Sequence, residues 1–142
     1  MRSTAARDGR RTPGSLSSAV AGIRRRLGVD GAAILVAEQD DRAVGFVLVA
    51  AQSSFLEIYY LAVDPAMWGN GVATQLLRSV ATHASVVGCA TLELWVLDDN
   101  DRAISVYEKA GWIGTDVTQV DPTSGRVERR LIRMLDGESV AR

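Results

Sequence analysis

Ile58-Tyr59-Tyr60-Leu61-Ala62-Val63 runs into Asp64-Pro65, and Trp68-Gly69-Asn70-Gly71-Val72-Ala73 follows. The first stretch is apolar and rich in residues that favour strands. The second opens a periodic segment, Val72 to Val87, that reads as a helix. Strand, glycine turn, helix is an order that presents backbone N–H groups to an anion. Glycines let the backbone approach a phosphate without Cβ interference. The helix N-terminus adds partial positive charge at the same place. The stretch is therefore a candidate phosphate site. A glycine turn can also be purely structural.

The residues narrow the phosphate ligand. A P-loop ends in Gly-Lys-Ser/Thr, and no lysine occurs here. The dinucleotide fingerprint needs a third Gly or Ala where Thr74 stands. Glu93 lies near the spacing of that fingerprint's acidic residue, but the glycine condition fails.

A second segment, Leu94 to Trp112, carries Asn100, Ala103, Tyr107, Gly111 and Trp112. Together with Gly71 and Ala73, this spacing resembles the GCN5-related N-acetyltransferases (GNAT). In that family a loop of the form Arg/Gln-x-x-Gly-x-Gly/Ala holds the pyrophosphate of acetyl-CoA. Trp68 departs from the pattern, because it stands where the family prefers Arg or Gln. The two motifs span residues 57–112, and flanking strands extend the resemblance over most of the chain after residue 30.

The coarse layout follows from periodicity and breakers. Residues 1–14 have few apolar side chains and read as a disordered basic start. Leu16, Val20, Ile23 and Leu27 place an amphipathic helix over Ser15–Leu27. Ala33–Glu38 and Ala43–Ala51 read as strands joined by the turn Gln39-Asp40-Asp41-Arg42. Phe55–Val63 is a strand, and Val72–Val87 a helix with Ala73, Leu76, Leu77, Val80, Ala84 and Val87 toward the core. Thr91–Leu97 is a strand, and Asp101–Lys109 a helix with Asn100 as N-cap. Trp112–Val120 and Arg126–Leu135 read as a hairpin, and residues 137–142 as a loose tail. One domain is expected over 15–136. The segment from Phe55 to Leu97 should be a right-handed crossover between parallel strands, placing both motifs at the strands' C-terminal ends.

The expected fold class is therefore α/β. It has a mixed, largely antiparallel sheet with a central parallel strand pair, splayed as the resemblance implies, and flanking helices. This is the acyl-CoA N-acyltransferase fold of the resembled family, abbreviated at the N-terminus. Family members begin with a strand and two helices that line the acceptor pocket. Here one helix precedes the first hairpin. A homodimer partner, a misassigned start or a large acceptor on an open surface would each account for that.

Composition sets limits on function. At 142 residues with 47% hydrophobic side chains, a single globular domain with a real core is expected. No apolar run is long enough to span a membrane, and no signal-peptide pattern opens the chain, so a cytoplasmic location is expected. Cys89 is the only cysteine, which excludes an internal disulfide. With one histidine besides, a zinc site is not expected. Asp98-Asp99-Asn100-Asp101 lacks the glycine and distal glutamate of a calcium loop and reads as turn and cap residues. Residues 1–28 hold seven arginines against one acid, Asp8, while the rest holds nine basic and sixteen acidic residues. Without aromatics to stack bases, that basic start reads as a solvated terminus rather than a nucleic-acid site.

The resemblance implies roles at individual positions. Acetyl-CoA would be the donor cosubstrate, without a metal. The backbone of Leu61, Ala62 and Val63 would hold the pantetheine arm. Trp68, Gly69, Asn70, Gly71, Val72, Ala73 and Thr74 would surround the pyrophosphate. Asn100, Ala103 and Tyr107 would complete the cofactor side. Tyr107 matches the family's general acid, and without the motif it reads as a core tyrosine. The string Glu57 to Val63 resembles that of histone-acetylating members, whose Glu is the base. Glu57 otherwise reads as an exposed strand carboxylate, with water as the base. The acceptor would be a primary amine on a small molecule or peptide. A non-enzymatic acyl-CoA-binding or regulatory module of the same fold is the alternative. A basic-tailed protein associated with nucleic acid is a further one.

Overall fold

A computed structural model of the protein describes residues 32–135. The helix expected at Ser15–Leu27, the basic start and the tail 137–142 lie outside the described residues.

Strand β1 (Ala32–Gln39) and strand β2 (Arg42–Ala51) form an antiparallel hairpin. Its two-residue turn holds Asp40 and Asp41 at φ 54° and 63°. Aspartate tolerates this left-handed conformation better than most residues, and such turns match the twist of paired strands. Strand β3 (Phe55–Val63) pairs antiparallel with β2. A 3-10 turn, Pro65–Met67, then leads to helix α1 (Val72–Val86). Strand β4 (Thr91–Leu97), helix α2 (Asp101–Lys109), strand β5 (Ile113–Val120) and strand β6 (Val127–Met134) follow. The sheet order is β1-β2-β3-β4-β6-β5, with β3–β4 the one parallel pair among the described strands. The sheet is thus mixed, largely antiparallel and built around a parallel pair, as expected.

That pair is joined only at its start. Register runs from Phe55↔Thr91 to Ile58↔Leu94 and stops there, although β3 continues to Val63 and β4 to Leu97. On its other side β3 shifts register against β2: Leu48 faces Tyr60 while Val49 faces Ile58, which leaves Tyr59 as an extra residue. A bulge of this kind bends and twists its strand. It coincides with the end of the β3–β4 ladder, and the two strands diverge from that point.

Helix α1 covers one face of the sheet with Val72, Leu76, Leu77, Val80 and Ala84. They pack into a core with Val49, Leu56, Ile58, Leu61, Leu92, Leu94 and Val96. Gly45 on β2 permits a close approach: a Cβ there would lie 2.9 Å from Val72 Cγ1 and 3.1 Å from the Ala62 carbonyl oxygen. The helix N-terminus is seated by that absence.

Two residues expected on the buried stripe of α1 depart from it. Val87 is 43% exposed, because the chain leaves the helical path there and turns at Gly88, whose φ is 83°. Ala73 is only half-buried. Cys89 is a free, buried thiol. Asp98 and Asp99 pair with Arg129 and Arg126 at 2.7 and 2.8 Å. The bond that Arg129 donates to Asp98 holds its guanidinium above the ordinary pKa. The acidic run thus braces the start of α2 against the β5–β6 hairpin. At the hairpin's own turn, the Thr123 N–H donates to Asp121 and pulls that carboxyl below its ordinary pKa.

Candidate functional site

Where the β3–β4 ladder ends, a cleft of about 220 Å³ opens between the end of β3 and the N-termini of α1 and α2. Leu61 and Val63 come from β3, and Met67, Trp68 and Gly69 from the connection. Gly71, Val72, Ala73 and Thr74 come from the start of α1, and Arg102, Ala103 and Val106 from α2. The walls are mostly apolar, with the polar groups concentrated at the helix starts.

The connection is held by short bonds. Asp64 is buried, and its Oδ1 accepts from the Ala66 N–H at 2.9 Å. The Met67 N–H donates to the Asp64 carbonyl, and the Asn70 N–H to that of Met67. The Trp68 indole Nε1 donates to the Val63 carbonyl at 3.2 Å, which fixes the ring against the end of β3. Gly71 is the N-cap of α1, at φ 81°, and no side chain caps the helix. The first intrahelical acceptor is the Gly71 carbonyl, bonded by Gln75. The N–H groups of Val72, Ala73 and Thr74 have no acceptor among the described residues. A helix start leaves such donors open, and here all three residues line the cleft.

At α2, Asn100 Oδ1 accepts from the Ala103 N–H at 3.1 Å, as its N-cap role requires. The capping bond fixes the start of the helix that carries Arg102, Ala103 and Val106 to the cleft.

Nine of the positions named from the sequence as cofactor-binding border this cleft: Leu61, Val63, Trp68, Gly69, Gly71, Val72, Ala73, Thr74 and Ala103. Four do not. Ala62 alternates to the other face of β3, where it packs with Ala43 and Phe46. Asn70 is exposed on the outside of the turn. Asn100 acts on the helix start rather than on the cleft wall. Tyr107 is fully buried, with its ring centroid 5.7 Å from that of Trp112. It sits on α2 one turn beyond the cleft-lining Ala103.

Glu57 also departs from its simpler reading, because it is 8% exposed rather than a surface carboxylate. It lies beside Glu93 in the β3–β4 register, just before the strands part. Met67, Val106 and Arg102 border the cleft and were not singled out in the sequence. Two are apolar and carry no signal of their own. Arg102 did carry one: a cation in the first turn of a helix opposes the helix dipole.

A strand pair that parts beside two helix N-termini, with open N–H groups at its mouth, is a cleft for an extended ligand ending in an anion. A family model described as the acetyltransferase (GNAT) family matches residues 10–112 of this sequence.

The chain belongs to the GNAT acetyltransferase family.

Solved structures agree on the fold. Ribosomal-protein-S18-alanine N-acetyltransferase of Escherichia coli superposes with a TM-score of 0.67 at 18% identity, over 84% of this chain and 80% of that one. A protein of Bacillus anthracis, described as a streptothricin acetyltransferase and solved in complex with acetyl coenzyme A, gives 0.71 at 18% identity, over 80% and 68%. A spermidine N-acetyltransferase of Vibrio cholerae gives 0.65 at 16% identity, over 82% and 73%. The mixed sheet with its central parallel pair is thus the fold that these acetyltransferases share. The chain is an acetyltransferase by family. No helix among the described residues is long and apolar enough to cross a membrane.

Proposed function

We propose that this protein transfers the acetyl group of acetyl-CoA to a primary amine by direct attack. The observation that carries the reading is that the N–H groups of Val72, Ala73 and Thr74, at the mouth of an apolar cleft, have no acceptor among the described residues. A pyrophosphate fits that end, and the pantetheine arm fits along Leu61, Ala62 and Val63. Gly69, Asn70 and Gly71 let the loop approach the phosphates, with Trp68 behind them. Ala103 lines the opposite wall, and Asn100 fixes the helix start that carries it.

In the chemistry, the amine nitrogen bonds to the thioester carbonyl carbon and the C–S bond breaks. Glu57 takes the proton released by the attacking amine, directly or through a water. Tyr107 donates a proton to the departing sulfur. The acceptor class is a small-molecule or peptide amine. The E. coli and V. cholerae neighbours, named for a protein alanine and for spermidine, support an amine of that kind.

The full burial of Tyr107 favours a second reading, in which the fold binds an acyl-CoA without turnover. Thiol release from acetyl-CoA over a panel of polyamines, aminoglycosides and N-terminal peptides separates the two. Release with any amine supports transfer. A thermal midpoint raised by acetyl-CoA with no release on the panel supports the binding module. No midpoint shift and no release would reject both.

A further inference from the structure

The donor loop has no cation of its own. No lysine or arginine occurs between Asp64 and Leu77, and the position the family fills with Arg or Gln holds Trp68. Yet the guanidinium carbon of Arg102, on α2, lies 3.5 Å from the centroid of the Trp68 ring. Arg102 is the one charged residue among the described residues that line the cleft.

Three features make this contact more than chance packing. The Trp68 ring is fixed by its own hydrogen bond to the Val63 carbonyl, so it offers a stationary face. No carboxylate among the described residues forms an ion pair with Arg102. The nearby Asp98 and Asp99 are already bonded to Arg129 and Arg126. Finally, Arg102 stands in the first turn of α2, at the positive end of the helix dipole, where a cation is locally disfavoured. A residue that violates a local rule without a local partner is the pattern of a ligand-binding position.

Stacking uses only the flat face of a guanidinium. The edge, with its N–H donors, stays available and matches the oxygens of a phosphate. We infer that Arg102, held flat on Trp68, is the side-chain ligand for a phosphate group of the CoA donor. It replaces, from a different helix, the cation that the loop lacks. Trp68 thereby acts as a positioning residue rather than as a gap in the motif. The inference rests on the acetyl-CoA reading above. CoA offers a pyrophosphate and a ribose 3′-phosphate, and the chemistry of recognition is the same for both.

Dissociation constants measured by calorimetry or competition on the full chain test it. The ligands are acetyl-CoA, acetyl-dephospho-CoA and S-acetylpantetheine, which carries no phosphate. The proteins are wild type, R102Q, R102K, W68L and the R102Q/W68L double variant. Loss of a charge-assisted bond predicts an acetyl-CoA affinity about ten- to a hundredfold weaker in R102Q. S-acetylpantetheine should bind wild type and R102Q alike. R102K should recover part of the loss, since it keeps charge but not the planar fork. W68L should weaken acetyl-CoA less than R102Q, and the double variant should bind like R102Q. A loss that persists with acetyl-dephospho-CoA assigns the pyrophosphate; a loss that disappears with it assigns the 3′-phosphate.

Equal acetyl-CoA affinity in wild type and R102Q overturns the inference and leaves the donor reading intact. So does an equal fractional loss on S-acetylpantetheine, which would mark a packing effect. Wild type that binds no acetyl-CoA overturns both. An unchanged unfolding midpoint in R102Q, whose side chain is exposed, separates binding from folding.

Discussion

Burial constrains what Tyr107 and Glu57 can do. Tyr107 has no exposed surface, so Tyr107→Phe keeps the ring packing on Trp112 and removes one hydroxyl. If the hydroxyl protonates the leaving sulfur, turnover falls about 10²–10⁴-fold with acetyl-CoA affinity nearly unchanged. Full activity in that variant would assign the proton to solvent. Glu57 is buried beside the point where the strands part. A carboxylate base works only when ionised, so kcat/KM should fall on the acid side of its profile. Glu57→Gln should lower turnover and remove or displace that acidic limb while acetyl-CoA still binds. An identical pH profile would assign the base to water. Both residues stood out in the sequence because a motif surrounds them. The burial of Tyr107 matches its reading as a core tyrosine, whereas that of Glu57 departs from an exposed strand carboxylate, because it depends on chain remote from it in sequence.

Helix α2 starts where it does because Asn100 supplies an acceptor to the Ala103 N–H. Asn100→Ala should therefore cost about 0.5–2 kcal/mol in chemical denaturation. A larger change in acetyl-CoA affinity than in stability would show that the start of α2 also positions the donor. At α1 the cap is a glycine in the left-handed region, φ 81°. Gly71→Val should cost about 1–3 kcal/mol in backbone strain. Beyond its chain neighbours, a Cβ there meets no atom of the described residues within 4 Å. Any affinity loss beyond the strain therefore reports on a ligand close to that backbone. Calorimetry with acetyl-CoA on the folded variant measures it, and unchanged affinity would remove the loop from the donor site. Both helix starts were legible in the sequence, since capping and glycine turns are set by neighbours three or four positions away. The helix ends one residue earlier than expected, at Val86: Val87 fits the apolar stripe by spacing, but as the C-cap it has left the helical path ahead of the turn at Gly88.

One sheet face and one helix carry most of the described core. Leu77 is 1% exposed on α1 and packs into the same cluster as Leu56, Ile58, Leu92 and Leu94. Leu77→Ala should cost about 2–5 kcal/mol, with the spread set by how far α1 can collapse onto the sheet. Denaturant unfolding checks the value. Because α1 also carries the loop's N–H groups, this variant should weaken acetyl-CoA binding only as far as the helix shifts. A loss under about 0.5 kcal/mol would mean that α1 is docked loosely and is not the element that seats the loop.

Alternation, helical periodicity, an N-cap and a glycine turn are properties of short windows. They were enough to read the strands at Phe55–Val63 and Thr91–Leu97, the helix at Asp101–Lys109 and the parallel crossover between the strands. The spacing of two motifs was enough to point to the family. Other features arise between segments distant in the chain. The insertion of β6 between β4 and β5 is one, and the Tyr59 bulge at the parting of β3 and β4 is another. The close seat that Gly45 gives Val72 and the Arg102 guanidinium over Trp68 are two more. Trp68 looked like a defect in the loop when read along the sequence. Only folding brings to it a cation from another helix, because a stacking contact has no sequence period and is made by tertiary packing alone.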